Sequence, residues 1–359
     1  MYRRTLLPVL ARIDAETAHD LTLTLLAGVS RAPVLLRLFR PVLEWQDPRL
    51  AVDLWGLHFR NPLGVAAGLD KNGRAFAALL RMGWGHVEVG TVTPLPQPGN
   101  ARPRVFRLRG DSALINRMGF PGEGMKAVRS HLARRPRGLG IVGVNAGANK
   151  WSVEAGTATR DYVEVVERLY DLADYLAINV SSPNTTRLRD LQGKQALTAL
   201  IEAVTASRAR RAVRKPLLVK LAPDLSPAEI DDIVQVCQDG HVDGVIATNT
   251  TISRPPTLRD VHRVEAGGLS GRPLRERATE IVRYLYRSTD GHLPIIGAGG
   301  IFTAEDALEK LAAGASLVQL YTGFIYEGPA VARRINRGLV RLMAERGFAS
   351  IGELTGSAV

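Results

Sequence analysis

The chain has 359 residues, 45% hydrophobic and 23% charged, and its formal charge of +12 comes from forty arginines and only seven lysines. One cysteine, Cys237, excludes a disulfide framework, a cysteine-ligated zinc site and a cysteine-held iron–sulfur cluster. Basic runs at 102–109, 129–137 and 208–215 lack interleaved aromatics and any helix-turn-helix or zinc-finger spacing, which argues against nucleic acid and for an anionic membrane surface or acidic substrate.

Along the chain, residues 1–45 come first as a helical head. "YRRTLLPVLARI" and "DAETAHDLTLTLLAGVSRAPVLLRLFR" place leucines at helical spacing, with Asp14 as N-cap and Glu16 in the first turn. Arg3, Arg4, Arg12, Arg31, Arg37 and Arg40 stand beside those leucines. An apolar face rimmed by arginine suits helices lying in a membrane interface, and equally helices packed on the body or on a second subunit. No secretory signal is expected, and no apolar stretch reaches the roughly 20 residues a spanning helix needs. "LAVDLWGLHFRNP", 50–62, reads as a hairpin turning at Gly56 that closes one end of the body.

The body, 46–359, repeats one unit. Apolar, β-branched runs at 62–71, 86–93, 140–147, 176–182, 216–224, 243–250, 293–300 and 317–323 each end in glycine or polar residues and lead into a helical pattern. Near-continuous apolar strands alternating with helices imply a parallel sheet covered on both faces. Eight such units predict an α/β fold of the (β/α)8 TIM barrel class, with an insertion at about 94–139 over the barrel mouth. Helix starts support the count: Thr303 with Asp306 approaches a capping box, and Ser226 precedes Pro227 at a first helical position. Cys237 falls within a helical pattern and reads as a small core residue.

Barrel enzymes work at the carboxyl ends of their strands. Here those ends carry Asp70 and Lys71, Thr91, Asn145, Asn179 and Ser182, Lys220, Thr248, Asn249 and Thr250, Gly299 and Gly300, and Tyr321 and Thr322. In a chain that builds its surface from arginine, Lys71 and Lys220 at strand ends suit compact charges beside a buried anion. "IIGAGGI" followed by "YTG" matches the phosphate site of such barrels, while Phe302 breaks a dinucleotide fingerprint. Seven scattered histidines and few strand-end carboxylates disfavour zinc, a glycosidase pair and a magnesium enolase site, so no metal is expected. Asn116, Asn179, Asn184 and Asn249 offer paired donors and acceptors to a planar, amide-rich heterocycle, and flavin mononucleotide (FMN) meets these requirements together. Ser182 in "INVSSPNTTRLRDLQG" has no histidine near it and no GxSxG elbow around it, which sets a serine hydrolase aside.

"AAGLDKNG", "VEVGTVTPLPQPGN", "INRMGF", "INVSSPNT", "VKLAPDLS", "GVIATNTT", "GGLSGRPL", "PIIGAGGI" and "GASLVQLYTGFIYEGP" together resemble the dihydroorotate dehydrogenase family, the flavin enzymes of pyrimidine (UMP) synthesis. The likeness runs in matching order from about Leu50 to the C-terminal helix, and the head resembles the extension of the quinone-linked, membrane-associated class. It implies oxidation of dihydroorotate to orotate with a membrane quinone as acceptor. FMN would contact Ala67, Gly68, Leu69, Asp70, Lys71, Thr91, Asn145, Asn179 and Thr248, with its phosphate on Gly271, Gly300, Tyr321 and Thr322 and Lys220 at its N1/O2 edge. Substrate would be held by Lys71, by Asn116, Arg117, Met118, Gly119 and Phe120, and by Asn179, Asn184, Asn249 and Thr250. Ser182 takes the place of the catalytic base, where enzymes of this fold that reduce fumarate or NAD have cysteine. Thr186-Arg187 departs from the Pro-Gly or similar turn common after "SSPNT", in a loop expected to act as a lid. The resemblance further implies a monomer held peripherally by its head on the cytoplasmic side of the cell membrane. Another FMN-dependent barrel oxidoreductase is the nearest alternative, and a non-enzymatic scaffold is the remaining one.

Overall fold

The computed structural model describes Tyr2 and residues 4–30 and 33–359, without the side chains of 33–37. Arg3, Arg31 and the side chain of Arg37, three of the basic groups counted in the head, lie outside the described residues.

Helices α1 (Leu6–Leu10), α2 (Ala15–Ser30) and α3 (Pro33–Leu43) form the head. The Asp14 carboxylate starts α2 by accepting from the backbone N–H of Glu16 and Thr17 at 3.0 and 2.9 Å, satisfying donors that the first turn leaves orphaned. Glu16 is more than a first-turn acid: it is buried and paired with Arg104 at 2.6 Å. Arg107 donates to the Ile13 carbonyl at 2.7 Å, and the Tyr2 hydroxyl donates to the Ile325 carbonyl at 2.8 Å. One face of the head is therefore fastened to the body. The other leaves Leu6, Val9, Leu21, Leu25, Leu38, Phe39 and Val42 exposed. Among the described residues, no helix is long and apolar enough to cross a membrane.

Strands β1 (Val52–Leu54) and β2 (Leu57–Phe59) pair antiparallel through a turn in which Trp55 and Gly56 both have positive φ, the geometry of a tight hairpin. The hairpin is a plug. Phe59 and Trp55 pack with Tyr175, Leu218, Ile246, Ile296 and Leu317, which point inward from the barrel strands. Above it, β3 (Leu63–Val65), β4 (His86–Val92), β7 (Ile141–Ala146), β8 (Tyr175–Asn179), β9 (Leu217–Leu221), β10 (Gly244–Ala247), β12 (Ile295–Ala298) and β13 (Leu317–Leu320) close into an all-parallel barrel in that order. Its strand residues are buried almost throughout, as expected of strands covered on both faces. Both foreseen helix starts form reciprocal capping boxes, Ser226 with Glu229 and Thr303 with Asp306.

The mouth is roofed by a separate antiparallel sheet. Strands β5 (Val105–Leu108) and β6 (Ala113–Asn116) come from the expected insertion, but the third, β11 (Gly268–Gly271), arrives from the connection after β10. From Gly124 to Leu132 the 94–139 segment is already the helix that packs on β4. The roof is thus made of two connections instead of one.

Candidate active site at the mouth of the barrel

Strand ends and roof enclose a cavity of about 1140 Å³, its opening to solvent included. Its wall carries Ala67, Gly68, Lys71, Thr91, Asn179, Ser182, Lys220, Thr248, Asn249 and Thr250 from five of the first six strand ends, β7 contributing none, and Gly300, Tyr321 and Thr322 from the last two. The roof and its flanking segments add Asn116, Met118, Gly119, Phe120 and Gly271, and the loop after β8 adds Asn184.

Four residues expected in contact with ligand stand elsewhere. Asp70 is buried, and its carboxylate accepts from the N–H groups of Arg74, Ala75 and Phe76 at 2.8, 2.8 and 2.7 Å, so it organises the loop beneath Lys71. The Leu69 carbonyl faces the head, 2.9 Å from His19 Nε2. Asn145 stands behind Thr91, from which it accepts at 2.5 Å. Arg117 turns away to pair with Glu265 at 2.7 Å and lies over the Phe106 ring.

Two residues passed over in the sequence anchor the floor. Glu88, inside β4, accepts from Asn145 Nδ2 at 2.8 Å, the Tyr175 hydroxyl at 3.0 Å and Gln319 Nε2 at 2.8 Å. Asn145 fixes Thr91, whose hydroxyl oxygen accepts from Asn179 Nδ2 at 2.7 Å. Asn249 Nδ2 donates to Ser181 Oγ at 3.0 Å, and Ser181 Oγ donates to Asn179 Oδ1 at 3.1 Å. Each asparagine amide is thereby held in one orientation, while Gln319 Oε1 is buried with no partner among the described residues. An acid within "HVEVGTV" and a glutamine within "LVQLYTG" were the available signals.

Two ammonium groups overlook this floor. Among the described residues, neither Lys71 nor Lys220 forms an ion pair or hydrogen bond with the protein. Burial pulls the Lys220 pKa down, and the Glu88 carboxylate pulls it back up. Burial pushes Lys71 down to about 8, against the head carboxylates Asp20 and Glu16, which raise it. The head therefore acts electrostatically on the mouth.

Ser182 is buried and, among the described residues, has no acid or histidine as hydrogen-bonding partner; its Oγ accepts from the Asn184 backbone N–H at 3.3 Å. Asn184 Nδ2 donates to Asn116 Oδ1 at 3.0 Å, tying the loop to the roof. Asn184 Oδ1 and Thr250 Oγ1 are buried and unpartnered. Arg189 ties this loop to its neighbours: it donates to the Ser181 carbonyl at 3.0 Å, to Asp224 at 2.8 Å and to the Thr250 carbonyl at 3.0 Å. Three strand-end loops thus meet on one guanidinium, and Arg187 takes a left-handed backbone to deliver it.

At the opposite side, Gly271 and Gly300 present bare backbone at φ +100° and +75°. A Cβ on Gly300 would lie 2.4 Å from Arg275 Cα, so no side chain fits there. Thr322 Oγ1, beside them, donates to Ser270 Oγ at 2.8 Å.

The family model for dihydroorotate dehydrogenase matches residues 49–343. A dihydroorotate dehydrogenase (quinone) of Deinococcus deserti is 50% identical over 362 residues, covering 99% of this chain and 99% of that protein. One from Roseiflexus sp. is 49% identical over 356 residues, covering 98% and 97%. A ligand-free crystal structure of the DHODH of Eimeria tenella superposes with a TM-score of 0.88 at 40% identity, covering 96% of this chain and 99% of that one.

Proposed function

The chain belongs to the dihydroorotate dehydrogenase family, and we propose that it oxidises dihydroorotate to orotate, passing the electrons through FMN to a quinone in pyrimidine (UMP) synthesis. The observation that carries this reading is a set of polar groups on residues lining one cavity that have no partner among the described residues: the Lys71 and Lys220 ammonium groups, Asn184 Oδ1 and Thr250 Oγ1. Groups left unpaired in a cavity wall are costly to maintain unless a ligand completes them.

The residues present fit FMN. The side-chain-free backbone of Gly271 and Gly300, with Tyr321 and Thr322, would hold its phosphate. Ala67, Gly68, Thr91, Asn179 and Thr248 would line its ring, and Lys220 would sit at its anionic edge. When bound, FMN supplies a hydride acceptor that quinone can reoxidise. Everything else falls to the chain. Lys71 faces the substrate carboxylate, and Asn116, Asn179, Asn184, Asn249 and Thr250 take up the pyrimidine amides. Ser182 removes the proton from C5. The Asn184 N–H stabilises the oxygen that would bear the charge, and the loop closed by Arg189 excludes the water that would otherwise protonate it. A water or a threonine hydroxyl would then carry the proton outward.

In the same reading, the exposed leucines, valines and Phe39 of the head rest in the membrane interface. The protein is then a monomer held peripherally on the cytoplasmic side, with quinone entering between the head helices. The test is spectroscopic: dihydroorotate added without oxygen should bleach the flavin absorbance, and a quinone should restore it. A flavin bleached by another donor and not by dihydroorotate would move the chain to a different FMN-dependent reaction, and a colourless purified protein would refute the cofactor.

A further inference from the structure

Away from the mouth, an arginine-rimmed groove opens where helix Val331–Arg346 packs against α3 and Trp45. Arg333, Arg337 and Arg341 recur every fourth residue, so they leave one helix face as a stripe about 12 Å long. The guanidinium carbons of Arg333 and Arg337 stand 5.7 and 5.9 Å from the Trp45 ring centre. Arg334 and Arg341 have carboxylate partners in Glu327 and Glu305. Arg333 and Arg337 have no carboxylate partner among the described residues. Arg333 Nε and Trp45 Nε1 are both buried donors without an acceptor. Two cations without a carboxylate partner and one further unpaired donor, the Trp45 indole N–H, at one concavity call for an anion with several oxygens, and a phosphate ester supplies that chemistry.

Position selects the source. Trp45 follows Val42 by three residues, and Val42, Phe39 and Leu38 are 60, 58 and 71% exposed. Three residues of chain reach at most about 11 Å. The headgroup layer of a bilayer extends roughly 5–8 Å beyond its hydrocarbon. With the apolar face of α3 at the acyl boundary, the groove lies among the lipid phosphates.

We propose that the groove formed by Trp45, Arg333 and Arg337 binds the phosphate of an anionic phospholipid headgroup and so fixes how the protein sits on its membrane. The inference rests on the reading that the head lies in the interface. Vesicle sedimentation of the flavin-loaded protein tests both separately, comparing phosphatidylcholine alone with phosphatidylcholine containing phosphatidylglycerol. The variant is Arg333→Gln/Arg337→Gln, and the control for lost charge is Arg134→Gln/Arg137→Gln, two exposed arginines elsewhere. The groove variant should lose about thirtyfold of the affinity that phosphatidylglycerol adds, and the control less than threefold. Binding to neutral vesicles, flavin content and bleaching by dihydroorotate should stay unchanged. Equal losses in both variants, or no gain from phosphatidylglycerol in the unaltered protein, would overturn the site. So would quenching of Trp45 fluorescence by millimolar glycerol phosphate, absent in Trp45→Phe, if vesicle affinity is the same with and without the groove arginines; the groove would then serve a soluble phosphate ester. A phosphatidylglycerol gain without any binding to neutral vesicles would keep the groove and refute the burial of the head.

Discussion

The two ends of the barrel both bury polar atoms without partners, yet the chemistry around them is opposite. At the plugged end the His86 ring is fully buried with neither nitrogen hydrogen-bonded. It packs edge-on to Phe59 and Tyr175 with ring centres 5.5 and 6.2 Å apart, and a Cβ on Gly64 would fall 2.0 Å from Nε2. No space faces it. At the mouth, Lys220, Asn184 and Thr250 line one cavity together. An orphaned polar atom in an aromatic socket is packing; several converging on one cavity mark a ligand. The lysines repeat the lesson. Lys310, fully buried outside the barrel, donates to Thr279 Oγ1 at 2.7 Å and to the Arg275 carbonyl at 3.2 Å, whereas Lys220 donates to nothing among the described residues.

The contrast is broken most easily at Ser182. Ser182→Ala should lower dihydroorotate turnover at neutral pH by about 10³-fold while the flavin stays bound, as loss of a positioned proton acceptor does. A variant within tenfold of the unaltered enzyme would remove the base from the mouth. The lysine pair gives the next largest effect. Lys220→Met should slow anaerobic flavin bleaching by about 10²-fold with little change in melting temperature. Lys310→Met should do the reverse, because it takes a buried donor from Thr279 Oγ1 and the Arg275 carbonyl and leaves the chemistry untouched. If both variants lose activity alike, a partnerless lysine says nothing about function.

How much of this was legible in the sequence divides along the same line. The barrel could be read because each strand is a local apolar run and each helix starts on a local signal such as Ser226-Pro227 or Thr303. The third roof strand could not: "GGLSG" carries almost no strand propensity, and Leu269 pairs with Ile115, far away in sequence. Strand-end position was a sound guide to which residues gather at the mouth, but not to where their side chains turn. Asp70 and Lys71 are neighbours, and one carboxylate folds back onto three backbone N–H groups while the other side chain faces the cavity. Glu88 and Gln319 were masked by the apolar strands that hold them, their partners lying on other strands.

Intermediate effects probe how the mouth is held. Arg189→Ala should release the loop from both the Ser181 and Thr250 carbonyls and cost ten- to a hundredfold in kcat/KM for dihydroorotate, with flavin content unchanged. Arg189→Lys should not rescue it, since an ammonium cannot span three acceptors in one plane. Equal activity of Lys and Arg there would show that charge alone matters. Lys71 adds a pH dependence: only its protonated form attracts a carboxylate, and burial places its pKa at about 8. Orotate affinity should be flat below that pH and fall up to tenfold per unit above it. An affinity that rises through pH 9 would take Lys71 out of substrate binding.

The smallest effect belongs to the plugged end, and it is a stability effect without a catalytic one. Burial pushes the His86 pKa down to about 3 from 6.5. The unfolded chain gains a proton on this ring near pH 6.5, and the folded chain refuses it until about pH 3. Its contribution is therefore complete above pH 6.5 and drains away as the pH falls toward 3, by up to about 1.4 kcal/mol per unit. His86→Leu replaces the ring with a side chain of similar volume that cannot titrate. The variant should keep turnover within twofold and lose melting temperature less steeply between pH 6 and 4. Identical acid slopes would mean that the ring is protonated in the fold, and a large loss of turnover would mean that the plug and the mouth are not independent after all.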